Sequence, residues 1–380
     1  MKELEELEEL EELEELEELE GEDSLDINND ENYKQIYPLE KIRIEKGRMS
    51  FFEIKRRQER GDIQISPEFQ REDVWNYKQK SELIESVLMG IPIPVFYFFE
   101  SKDTKIQVVD GRQRITTFID FMNDKFDLKQ VKIITDIIGK KFSDLNVIQQ
   151  RKIEDYQIDT YTIQPPTPEQ VKFNIFDRVN RGGTRLNNQE MRNALYQGNS
   201  TELINELSKE ECFKKATAYS IKSNHMKDRY IILRFIGFYI YYSKITNNIE
   251  YKGKIDDFLS EIMLFLNNAM DMYLISELKF MFKNTMNFTY DNYGQDIFRF
   301  NNLNGINKRP INMALFESLS YLFTLCMQQG KKPPKGAIDN LKLEFDKSGK
   351  FVSGIDSVTS VDYRFNKVDE FLKDWNDYKS

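Results

Sequence analysis

Residues 90–100 read Gly-Ile-Pro-Ile-Pro-Val-Phe-Tyr-Phe-Phe-Glu and leave the backbone one choice. Each proline pushes the residue before it out of the helical region, so the stretch has to be extended. A second extended segment, Lys105–Val109, follows almost at once and runs into Asp110-Gly111, after which Ile115–Met122 reads as a helix. Upstream, Met49–Arg60 suits a short helix ending at Gly61, and Asp62–Ile65 suits a strand stopped by Pro67. Lys78–Met89 has apolar residues at 83, 84, 87 and 88, as an amphipathic helix would, and Gly90 ends it. After a variable segment, the chain from about residue 168 is helical in period, with only weak strand signals near 350–365. The expected class is α+β: a small mixed α/β core followed by a largely α-helical region. The expected boundaries are 1–36 for an acidic tail and linker, 37–165 for the core and 166–380 for the helical region.

The tail sets the net charge. Residues 1–20 hold 12 Glu and 1 Lys, and the remaining 360 residues carry 52 acidic and 53 basic side chains. The body is therefore near neutral and neither requires nor excludes a nucleic-acid partner. The six leucines of the tail recur every third residue and wind around all faces of a helix, so a solvated tail is the first reading and an oligomerising helix the second. Cys212 and Cys326 are far apart and unpaired in sequence, which argues against a disulfide framework and suits a reducing cytoplasm. The most apolar segment, Tyr230–Tyr242, is too short to span a bilayer and includes Arg234, so it reads as a buried helix and no membrane is expected.

The chemistry gathers in three places. Where Asp110-Gly111 feeds a helix, backbone N–H groups at the helix start attract anions, and the helix dipole adds to the pull. Gly111 permits a tight turn, Arg112 and Arg114 offer forked hydrogen bonds to phosphate, and Thr116 and Thr117 offer hydroxyls. Asp110 suits a metal, a water or an arginine. The plainer reading is an Asp-Gly turn with salt-bridged surface arginines. The second cluster, Pro67–Trp75, contains Gln70 and Arg71, with Trp75 as an anchor between loop and core. The third, Phe176–Gly198, has Asn180-Arg181-Gly182-Gly183 breaking one helix, while Asn187 and Glu190 resemble a capping box that starts another. A two-glycine loop of this kind most often only connects helices.

As an ordered set these motifs resemble the N-terminal domain family of GmrSD-type restriction systems, with a ParB/sulfiredoxin-like fold. The family's Asp-Gly-Gln-Gln-Arg and two threonines are matched by Asp110, Gly111, Arg112, Gln113, Arg114, Thr116 and Thr117. Its upstream Gln-Arg, Trp and Ile-Pro-x-Pro elements are matched by Gln70, Arg71, Trp75 and residues 91–94. Its later glycine loop and Glu-x-Arg-Asn-Ala helix are matched by Asn180, Gly182, Gly183, Glu190, Arg192, Asn193 and Ala194. Residues 228–235 and 308–317 also look like later parts of these proteins. One departure is Arg112, which stands where the family usually has Gln.

The resemblance implies a nucleoside-triphosphate-binding module of bacterial anti-phage or modification-dependent defence, with Mg2+ as companion. Asp110, Gln113 and Arg114 would be its catalytic residues. Gln70, Arg71, Gly111, Arg112, Thr116, Thr117, Asn180, Gly182 and Gly183 would meet the nucleotide, and Asp110 is the metal candidate. Replacing Gln by Arg112 adds a cation but removes an amide able to orient water, so binding is the firmer expectation and NTPase activity the further step. DNA, a separately encoded nuclease and a second copy of the chain are the other expected partners. With His225 as the sole histidine, an HNH nuclease is not expected here. The alternatives are a ParB-like DNA-binding protein and a regulatory partner of a separate nuclease.

Overall fold

The computed structural model describes residues 19–20, 42–65, 75–101, 104–180, 187–268, 272–301 and 308–377. Backbone contacts divide the chain into a sheet unit, 33–186 with 190–195, and a helical unit, 1–32, 187–189 and 196–380. The helix following the last strand thus groups with the sheet.

The sheet unit has five strands: β1 (Arg43–Ser50), β2 (Ile63–Gln64), β3 (Phe96–Glu100), β4 (Ile106–Asp110) and β5 (Gln157–Gln164). Their order is β1-β5-β3-β4-β2. The β3–β5 and β2–β4 pairs are parallel, whereas β1–β5 and β3–β4 are antiparallel, so the sheet is mixed and the class is α+β. Helices α1 (Phe51–Glu59), α2 (Tyr77–Met89) and α3 (Arg112–Met122) supply much of its core. Phe96 and Phe98 are fully buried on one sheet face, and Phe51 stacks on Phe118 with ring centroids 3.6 Å apart. Ser50 caps α1, and an Asn76–Gln79 capping box opens α2. Gly90 ends α2 at φ +76, a left-handed conformation that favours glycine.

Two strands carry little sequence signal. β1 is half charged and mostly exposed because it is an edge strand, with only β5 beside it. In β5, Thr160 occupies a buried position, which weakens the apolar alternation. The short helix α4 (Val147–Glu154), opened by an Asn146–Gln149 box, is likewise polar. The helix after β5, α5 (Glu169–Asn180), places Phe176 6.5 Å from Phe99 on the other sheet face.

The remaining helices are α6 (Asn188–Leu195), α7 (Asn199–Lys209), α8 (Glu211–Ala216), α9 (Lys227–Tyr242), α10 (Ile255–Asn268) and α11 (Met272–Tyr293). They continue with α12 (Met313–Gln328), α13 (Lys335–Lys347) and α14 (Val358–Asp377). In the helical unit α12 is buried on nearly every face, as is the Tyr230–Tyr242 segment of α9. Asn312 caps α12 by accepting from the Leu315 amide at 2.9 Å. The only strands described here are the two-residue pair Leu19–Glu20 and Ile311–Asn312. The weak strand signals near 350–365 form no strand: Val361, Phe365, Val368 and Leu372 are buried at helical spacing on α14. Among the described residues no helix is long and apolar enough to cross a membrane.

Candidate functional site

The strand-to-helix corner at Asp110-Gly111 is built by β4 and α3. Val108 and Val109 are buried, and a register shift beside Tyr97 leaves Asp110 opposite Tyr97 on β3. Gly111 is the N-cap of α3 at φ +92. A Cβ there would lie 2.2 Å from Cδ1 of Phe96, so glycine is required both by conformation and by space. No side chain caps this helix start, and Arg112, Gln113 and Arg114 form its first turn.

Arg114 turns inward. Its Nη2 donates to Oδ2 of Asp110 at 2.8 Å and to the Val95 carbonyl at 3.4 Å, while Nη1 donates to the Pro94 carbonyl. The guanidinium carbon lies 4.4 Å from the centroid of the Phe96 ring. Burial lowers the Arg114 pKa from its ordinary value, and Asp110 opposes that effect. The arginine therefore ties the start of α3 to the Ile-Pro-Ile-Pro segment. That segment is held from its other side by Tyr156, whose hydroxyl donates to the Ile91 carbonyl and accepts from the Ile93 amide.

Asp110 keeps about a third of its side chain exposed and uses Oδ2 for Arg114. Gln113 follows in the first turn, and its Oε1 is buried without a hydrogen-bond partner among the described residues. Thr117 is buried and donates its hydroxyl to the Gln113 carbonyl at 2.7 Å, so that hydroxyl is committed to the helix. Thr116 and Arg112 are half-buried on the same helix.

One neighbouring feature was not anticipated from sequence. Tyr97 on β3 and Tyr161 on β5 are register partners with stacked rings 5.6 Å apart, and Lys46 on β1 lies 6.0 Å from the Tyr161 centroid. Its only signal is a tyrosine in each of "VFYFFE" and "QIDTYTIQ", which becomes legible once the two strands are known to be neighbours.

The other expected residues fall elsewhere. Gln70, Arg71, Gly182 and Gly183 lie outside the described residues, as does the side chain of Asn180, the last residue of α5. Trp75 is half-buried against the sheet unit's core. Asn187 Nδ2 donates to the His225 carbonyl at 2.6 Å within the helical unit. Among the described residues there is no group of three His, Cys, Asp or Glu side chains able to hold a metal by themselves. A magnesium ion needs less from protein: it takes one or two carboxylates and draws its other ligands from phosphates and water. The partly exposed Asp110 carboxylate suits that donor set, and the unpartnered Gln113 Oε1 is a further oxygen in the first turn of α3.

These elements define an α+β domain with an uncapped, glycine-turned strand-to-helix corner at the C-terminal end of β4. Residues 50–197 match the family described as GmrSD restriction endonuclease, N-terminal domain. That segment is similar to this family's domain, and the match spans less than half of the chain. No curated protein matches the chain.

Proposed function

We propose that the sheet unit binds a nucleoside triphosphate with Mg2+ at the β4–α3 corner. The observation that carries this reading is the combination at one helix start: an N-terminus without a side-chain cap, opened by a glycine that leaves no room for a Cβ. The helix dipole and first-turn amides favour anionic oxygens there. Arg112 adds cationic charge in the first turn. Arg114 acts by positioning: it holds the Asp110 carboxylate in place and fixes the loop opposite.

Bound with the nucleotide, Mg2+ would neutralise phosphate charge and draw on Asp110 Oδ1 and Gln113 Oε1. Asp110 would also orient a water at the phosphates, and the Gln113 amide group would fix that water's position. Gln70, Arg71 and the Asn180, Gly182 and Gly183 loop remain the candidates for closing over the ligand. Hydrolysis, contact with DNA and pairing with a separate nuclease belong to the same proposal, as steps that nucleotide binding would regulate.

A ligand that binds only the folded chain raises its melting temperature, by about 2.7 kcal/mol of stabilisation at a hundredfold excess over Kd. Melting should therefore shift upward with at least one of ATP, GTP, CTP and UTP in the presence of Mg2+, and Asp110→Asn should reduce the magnesium-dependent part. If none of the four nucleotides moves the transition, the proposal is wrong. Salt-dependent affinity for duplex DNA without any nucleotide response would favour the DNA-binding alternative.

A further inference from the structure

Four strands place one residue each on a single row across the sheet. Lys46 on β1 pairs with Tyr161 on β5, Tyr161 with Tyr97 on β3, and Tyr97 with Asp110 on β4. The row therefore runs cation, aromatic, aromatic, acid, and its acidic end is the residue before Gly111.

The adjacent row runs Gly47, Thr160 and Phe96, and it faces the core: Thr160 is 1% exposed and Phe96 0%. Side chains alternate between faces along a strand, so Lys46, Tyr161 and Tyr97 project the opposite way. Lys46 is exposed, and both tyrosines are partly exposed. The phenyl rings stack with an interplanar angle of 21°, and neither hydroxyl is hydrogen-bonded among the described residues. Farther along this face the cover is apolar, with Phe99 and Ile163 buried and Phe176 packed on Phe99. The tyrosine pair thus continues a covered apolar surface to the corner and leaves it partly open there.

We infer that the Tyr97–Tyr161 pair, with Lys46 at its rim, receives the base of the nucleotide whose phosphates lie at Gly111–Gln113. This rests on the proposed nucleotide binding at that corner. Neighbouring strands are about 4.8 Å apart, so Tyr97 and Tyr161 lie roughly 5 and 10 Å across the sheet from β4. A sugar and its 5′ carbon bridge a comparable separation between base and phosphates. Every base has a π-face, so stacking on tyrosine tolerates either purines or pyrimidines. Lys46 attracts the electron-rich edge of a base and the overall negative charge of the nucleotide.

The test compares ATP, GTP, CTP and UTP with inorganic tripolyphosphate, each with Mg2+, by titration calorimetry on the full chain. Tyr161→Leu should weaken nucleotide binding about tenfold or more, while tripolyphosphate affinity stays within about twofold of wild type. Tyr161→Phe should retain nucleotide affinity. Lys46→Glu, at an exposed position that folding tolerates, should weaken nucleotides several-fold even if Tyr161→Leu fails to fold. Unchanged nucleotide affinity in a folded Tyr161→Leu or in Lys46→Glu overturns the base platform and leaves the phosphate reading standing. Failure of wild type to bind either nucleotides or tripolyphosphate overturns both. Binding of oligothymidylate alone would make the pair a single-strand contact and equally overturn the assignment.

Discussion

Arg234 and Glu317, 83 positions apart, meet inside the helical unit with Nε donating to Oε2 at 2.8 Å and neither side chain exposed. They lie on α9 and α12. Glu317 uses its other oxygen for Arg364 of α14, and Arg234 also donates to Asp356 at 2.7 Å. The network balances two buried cations against the buried Glu317 and the partly exposed Asp356, and it joins three helices. Burying charge is costly unless every member is paired, so this arrangement specifies one packing of the unit.

Glu317→Gln should therefore be severe. It leaves two buried guanidiniums facing a neutral amide, and the expected loss is about 3–5 kcal/mol. Equilibrium denaturation of the two variants checks this, because Asp356→Asn, at a partly exposed position, should cost distinctly less. Equal costs would show that the network does not act as argued.

At the corner, Gly111→Ala meets both a steric and a conformational barrier. The new methyl would fall on the Phe96 ring, and φ +92 is a strained value for alanine. The expected destabilisation is about 2–4 kcal/mol, combining left-handed strain with overpacking. Gly61→Ala, at φ +78 with open space around it, carries the strain alone and is the comparison. A smaller melting shift for Gly111→Ala than for Gly61→Ala would refute the close approach.

Lys342 on α13 is 5% exposed, and burial lowers its pKa to about 8 despite Asp339, Asp296 and Asp346 nearby, with Lys335 adding to the fall. A lysine with a depressed folded-state pKa is a destabilising group below that value. Its penalty disappears as pH rises from about 8 towards the ordinary 10.5. Lys342→Met should thus be more stable than wild type at pH 7, by on the order of 2 kcal/mol, with the advantage shrinking by pH 9.5. Melting curves at those two pH values decide it. A pH-independent difference would mean that packing, not charge, separates the proteins.

Glu85 on α2 behaves oppositely. It accepts from the amides of Lys132, Ile133 and Ile134 at 3.2, 2.6 and 2.8 Å. Burial alone would raise its pKa, but these amides and the Lys132 charge hold it below the ordinary carboxylate value. Such a group contributes stability that is whole above its unfolded pKa of about 4.3 and is lost as pH falls through the lower folded value. Glu85→Gln should lower the denaturation midpoint at pH 7 and flatten the acid limb below pH 4.3. An acid limb as steep as wild type's would remove Glu85 as its cause.

Some of this was legible in the chain itself. The prolines at 92 and 94 fixed an extended approach, Gly90 ended α2, and Asp110-Gly111 marked the turn from strand to helix. These are local effects: proline geometry, left-handed glycine and side-chain period act within a few residues of their cause. β1 and β5 escaped notice because an edge strand keeps its charges and a threonine can fill a core position, so neither displays apolar alternation. The apolar residues near 350–365 suit either period locally, and α14 emerges only through its packing.

Tertiary structure alone decided where the charged groups point. Sequence placed Arg114 one helical turn after Asp110, but only the approach of Pro94, Val95 and Phe96 makes its guanidinium an internal tie. Likewise, Tyr97 and Tyr161 lie 64 positions apart and become one surface because β3 and β5 are neighbours at that register. Backbone preferences are written in adjacent residues, whereas the direction and company of a side chain depend on segments that only folding brings together.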